Sequence, residues 1–133
     1  MSSIKITLAA WMLAHAATVM AADLVVIVNP AAPPLTKEKA GDIFLGKEPT
    51  YAPVDYSDAA PLKAEFYKKI SGRDLTQVKT TWTRIVFTGK GAPPKEVQDA
   101  SAVKKMVAAN PQAVGYIEKS ALDSTVKAAL VLE

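Results

Sequence analysis

The amino-acid sequence predicts an α/β domain with a mixed, mostly parallel sheet flanked by helices, and three observations carry that prediction. Leu24 to Val28 is an unbroken run of apolar, largely β-branched residues ending at Asn29 and Pro30, the pattern of a strand buried on both faces. Several later segments repeat apolar residues at helical spacing between capping and stopping residues. Short strand-like runs and helical segments are interleaved along the chain, and such interleaving is resolved by packing helices on a sheet.

Taken in order, the run from Leu24 is the first strand, and Pro30, Pro33 and Pro34 make an extended connector. Thr36 caps a helix through Asp42, Ile43, Phe44 and Leu45, and Gly46 stands where helices end in a left-handed turn. Ala52, Val54 and Tyr56 alternate with Pro53 and Asp55. This is a short strand, placed near an edge because Pro53 has no N–H to donate. A second helix runs from Pro61 to Ile70, its stripe formed by Leu62, Phe66, Tyr67 and Ile70 and its stop by Gly72. Thr76 caps a third, with Val78, Trp82, Ile85 and Val86 on the inner side, ending near Thr88 and Gly89.

The stretch from Thr88 to Pro94 reads as a loop. Ser101 caps a fourth helix through Val103, Met106 and Val107, closed by Asn110 and Pro111. Ala113 to Ile117 is a short strand, Ser120 to Leu122 a helical turn, and Val126 to Leu132 the last strand. There is no internal repeat.

The first 21 residues stand apart. One cation, Lys5, precedes an apolar run from Ile6 to Val19, and small residues follow at Ala21 and Ala22. That order is expected of a cleavable secretory signal, cut after Ala21 or Ala22. The run falls short of the roughly 20 apolar residues a membrane-spanning helix needs. Residues 22–133 are therefore expected to form one domain of about 111 residues in the periplasm, meeting a membrane only through the transient signal.

Composition narrows the chemistry. The chain has no cysteine, and its single histidine, His15, lies in the expected signal. Disulfides, zinc sites of Cys and His type, and Ser-His-Asp or Cys-His catalysis are thereby removed. The net charge of +3, or +2 without Lys5, is spread among acids rather than gathered into a basic run, which argues against nucleic acid. No cofactor motif and no metal-ligand spacing is present. Glu38, Glu65, Glu96, Asp99 and Glu118 fall on expected solvent faces among lysines, so an enzymatic carboxylate pair is not expected.

Two segments could meet an anion. Thr88, Gly89, Lys90 and Gly91 could present backbone N–H groups and an ammonium, although the full phosphate-loop spacing is missing and a plain helix-ending loop is the preferred reading. Ser57 and Asp58 precede the helix at Pro61, and helix N-termini bind phosphate and sulfate through free N–H groups. Against that, Pro61 removes a donor and Asp58 can serve as the helix's own anion. Trp82, Tyr67 and Phe66 are expected in the core rather than as a stacking platform.

The Val-rich strand ending in Asn29-Pro30, the helix that opens Leu35-Thr36 and ends Ile43-Phe44-Leu45-Gly46, and Val114-Gly115-Tyr116-Ile117 after Asn110-Pro111 together resemble the periplasmic phosphate-binding proteins of ABC transporters. The resemblance is to short, single-lobe members of the type 2 periplasmic-binding-protein-like superfamily. It implies transport rather than catalysis, with phosphate or sulfate as ligand and an ABC permease or another envelope protein as partner. Full-length members hold phosphate between two lobes with an Arg and with Ser-Gly-Thr at a helix N-terminus. The corresponding positions here are Tyr56 and Ala60, Pro61 and Leu62, none of which matches. The resemblance therefore implies the scaffold together with weak anion binding at Ser57, Asp58 and the Thr88–Gly91 turn. The alternative is an interaction module that has lost ligand binding and contacts an envelope protein through an exposed sheet edge or the loop around Pro93.

Overall fold

The computed structural model describes residues 23–133; the expected signal lies outside them. Five strands form one sheet in the order β3-β2-β4-β1-β5. They are β1 (Leu24–Val28), β2 (Ala52–Tyr56), β3 (Lys95–Val97), β4 (Ala113–Glu118) and β5 (Lys127–Leu132). Four helices accompany them: α1 (Lys37–Phe44), α2 (Pro61–Ser71), α3 (Leu75–Phe87) and α4 (Ala100–Ala109), with a 3₁₀ turn at Lys119–Ala121. Among the described residues no helix is long and apolar enough to cross a membrane.

The sheet is mixed. β2 runs parallel to β3 and β4, whereas β1 is antiparallel to both β4 and β5. Every residue of β1 is buried, as its composition predicts, yet neither neighbour is parallel to it. Burial on both faces comes from what covers the sheet, not from strand direction. On one face Gly115 lies so close to Val103 of α4 that a Cβ there would collide with it. On the other, Tyr116 stacks on Phe66 of α2, with ring centroids 3.7 Å apart, and meets the edge of Phe44 of α1.

Local signals set most helix ends. The Thr36 hydroxyl accepts from the Lys39 N–H at 3.1 Å, and Gly46 and Gly72 take φ of +80° and +69° after α1 and α2. Two caps differ from expectation. Asp74, not Thr76, opens α3, because its carboxylate accepts from the Gln77 N–H while the Gln77 side chain accepts from the Asp74 N–H. Asp99, not Ser101, opens α4.

β2 is an interior strand rather than an edge. The Ala52 N–H points to Gln112 on the β4 side, so the ring nitrogen of Pro53 faces β3, which begins only opposite Val54. No ladder bond is lost there. β3 was not expected, since three residues of mixed polarity carry no strand pattern.

Candidate functional site

β2 ends at Tyr56, and the chain turns through Ser57 and Asp58 into α2 at Pro61. This corner lies outside the carboxyl end of a strand with parallel neighbours, the position at which open α/β sheets present ligand-binding loops. Ala60 stands at the N-cap with no side-chain bond, and Pro61 has no N–H. The Asp58 carboxylate sits beside this helix start and joins two lysines, Lys63 Nζ at 2.8 Å and Lys79 Nζ of α3 at 3.0 Å. Lys63 also reaches Glu96 of β3 at 3.1 Å and lies 3.9 Å from Asp55.

Beneath that network lies a buried carboxylate. Asp55 is 1% exposed, accepts from the Tyr67 hydroxyl at 2.6 Å and the Tyr56 N–H at 2.8 Å, and is bonded by the Tyr116 hydroxyl. Burial pushes its pKa above the usual carboxylate value, against the pull of Tyr116, Tyr67 and Lys63. Burial, with the Asp55 charge alongside, also raises both tyrosines far above their ordinary range. For Lys63, burial alone would lower the pKa, but Asp58, Asp55 and Glu96 together outweigh it and leave the ammonium raised. Hydrogen bonds from Lys63 and Lys79 lower that of Asp58. Lys63 is thus a charged, committed donor rather than a nucleophile. Among the described residues no group of three or more His, Cys, Asp or Glu is placed to hold a metal ion.

The corner opens into a cleft of about 450 Å³. Leu75, Val78, Trp82 and Phe87 of α3 form one wall, Pro93 and Pro94 the other, and Asp55, Asp58 and Lys63 its polar end. Trp82 is half-buried, its indole N–H donating to the Phe44 carbonyl at 2.9 Å, whereas Phe66 and Tyr67 are core residues as expected. Val86, expected on the inner side of α3, is 48% exposed and Phe87 is 90% exposed. Among the described residues no further element packs over the end of the helix.

The two segments expected to face an anion are not brought together. Ser57 is exposed, and Asp58 lines the cleft. Thr88 and Gly89 close α3, the Thr88 hydroxyl donating to the Ile85 carbonyl and Gly89 taking φ of +70°. Lys90 and Gly91 line a separate hollow of about 300 Å³ with Gly46 and Tyr51. Thr88 lies nine residues beyond Lys79, about 13 Å along the helix axis. Sequence reasoning missed Lys63 and Lys79, which meet Asp58 from the first turn of α2 and from another helix. It also missed Asp55, whose place in an alternating strand gave no sign that two distant tyrosines would satisfy it.

No protein-family model and no curated protein matches this sequence. Solved structures do. An ABC-type phosphate transport receptor from Vibrio cholerae superposes with a TM-score of 0.60 at 23% identity, over 80% of this chain and 46% of the receptor. A putative phosphate ABC transporter substrate-binding protein with bound phosphate, from Clostridium perfringens, gives 0.62 at 18% identity, over 81% of this chain and 45% of that one. The chain thus spans a little under half the length of each. At this identity the likeness establishes the fold alone, which the chain shares with part of each of these two proteins.

Proposed function

We propose that this protein is a non-enzymatic, periplasmic substrate-binding-like component of phosphate transport that takes a small inorganic anion, phosphate or sulfate, weakly at the corner between β2 and α2. The observation that carries the reading is the position of Asp58. Its carboxylate lies at a helix start, shared by Lys63 and Lys79 at 2.8 and 3.0 Å, and so occupies the place of a bound anion. A free anion must displace it to gain the two ammonium groups, the Leu62 N–H and the Ser57 hydroxyl. That competition is the source of the weakness: each charge-assisted bond formed to the ligand replaces one already made to Asp58. Lys90, on its own turn, adds to the positive field without touching the ligand.

Calorimetric titration with phosphate and with sulfate tests this. The unaltered protein should bind in the millimolar range, and Asp58→Asn, which removes the competing charge, should bind about tenfold more tightly, a gain of about 1.4 kcal/mol. Flat titrations for both proteins would overturn the reading. Export is tested separately by N-terminal sequencing of protein from the periplasmic fraction, which should begin at Ala22 or Asp23.

A second reading, an interaction module on the same scaffold that binds no small ligand, is favoured by the 90% exposure of Phe87 beside an apolar cleft. Such a side chain gains most from a partner that covers it.

A further inference from the structure

Phe87 and Val86 line the cleft, and within the described chain Phe87 is almost wholly exposed and Val86 half exposed. Phe87 also borders the outer face of α3, which carries Thr76, Thr80 and Thr83 with Lys79 and Arg84. Phe87 thus stands between this polar face and the cleft, whose wall on α3 is the apolar Leu75, Val78 and Trp82 and whose volume lies in the range of ligand-binding pockets. Opposite stand Pro93 and Pro94, leading into β3. This strand is the edge of the sheet, so the backbone groups on its outer side have no strand partner.

The charges around this surface are asymmetric. The acids at the cleft are already engaged: Asp58 by Lys63 and Lys79, Glu96 by Lys63, and Asp55 by two tyrosines and an amide. Arg84, one turn before Phe87, and Lys90, one turn after it, make no ion pair among the described residues, nor does Lys95 at the start of β3. These cations flank the cleft rather than line it, Arg84 on the outer face of α3 and Lys90 and Lys95 in the hollow beyond Pro93 and Pro94. Carboxylates on a segment that overruns the cleft therefore find cations outside any ion pair among the described residues, whereas the acids at the cleft are already paired.

We propose that this face docks an acidic, apolar segment of another protein, with one large apolar side chain set into the cleft against Phe87 and Trp82 and flanking carboxylates on Arg84, Lys90 and Lys95. In extended form the segment runs along the open edge of β3, where main-chain bonds are available. This names the chemistry of the partner in the interaction reading above, and it is independent of anion binding at Asp58.

The test is selection of a random twelve-residue phage-displayed peptide library on the purified chain, followed by anisotropy titration of the enriched peptides. Enriched sequences should carry two or more Asp or Glu around an aromatic residue or Leu. Binding should weaken at least tenfold in Phe87→Ser and in the double reversal Arg84→Glu with Lys90→Glu, and peptides with Lys in place of the acids should regain it on the reversed protein. Circular dichroism and the phosphate titration should be unchanged in Phe87→Ser, which separates loss of docking from loss of fold and from failure of the anion reading. Absence of enrichment, enrichment without acids, or full binding by Phe87→Ser overturns the proposal. So does a dimer that dissociates in Phe87→Ser by sedimentation, which gives the face to a second copy. Flotation with phosphatidylglycerol vesicles that depends on Phe87 gives it to a membrane and likewise overturns the proposal.

Discussion

The start of α2 and the end of α3 lie on the same cleft and were built to opposite ends. At the start of α2 the chain has closed on itself: Phe66 stacks on Tyr116, Tyr67 and Tyr116 bond Asp55, and Lys63 gathers the nearby acids. At the end of α3, Phe87 and the cations near it have no such partners among the described residues. Residues at the first are committed to holding the fold, and those at the second are free to contact something else.

The contrast breaks most directly on two aromatic truncations. Phe66→Ala removes a fully buried ring from the contact between α2 and the sheet and should cost about 3–5 kcal/mol in urea denaturation. Phe87→Ala should stay within about 0.5 kcal/mol of the parent. Equal losses would mean that the two regions do not differ as described.

Asp55→Ala should rank next. It leaves two buried tyrosine hydroxyls and the Tyr56 N–H without their acceptor, at about 1–3 kcal/mol each, so a loss of about 3 kcal/mol or more is expected. Asp55→Asn should recover part of it, since the amide oxygen still accepts. If Asp55→Ala unfolds at the parent's denaturant midpoint, the buried network does not hold α2 to the sheet.

The smallest effect concerns acid. Asp58 is lowered by hydrogen bonds from Lys63 and Lys79, and Asp123 is lowered to about 2 by Lys104 and Thr125. A carboxylate lowered by folding contributes stability that is present above its unfolded pKa, near 4, and is lost as pH falls through the folded value. Asp55, raised by burial, acts in the other sense: protonation on acidification relieves the cost of its buried charge. The melting midpoint should therefore fall less steeply in Asp58→Asn than in the parent as the pH drops below about 4. Solvent screening of the half-exposed Asp58 keeps the difference under about 1 kcal/mol.

Much of the fold is legible in the sequence because its signals are local. Thr36, Pro61, Gly46 and Gly72 act within one turn of their own helices, and the apolar run of β1 announces a buried strand by itself. Caps were misplaced where two candidates stood two residues apart, and Gln77 decided for Asp74 by a reciprocal bond that spacing only permits. The direction of the neighbours of β1, the interior place of β2 and the existence of β3 depend on pairing between distant segments. The candidate site divides in the same way. Asp58 can be read as an anion before a helix, but its cations come from the helix's own first turn, five residues on, and from another helix, while the Thr88–Gly91 turn, equally legible, lines a different part of the surface. The exposure of Val86 and Phe87 follows from there being no packed neighbour over the end of α3 among the described residues, which helical periodicity cannot report.

The pairing of β1 also governs when the protein can fold. The strand at residues 24–28 finds its partners at 113–118 and 127–132, contacts of very long sequence separation, which slow folding. During synthesis the centre of the sheet stays unmatched until the C-terminal strands are made. A chain so delayed stays an open thread through most of its synthesis, the form in which a polypeptide can still pass through a narrow channel.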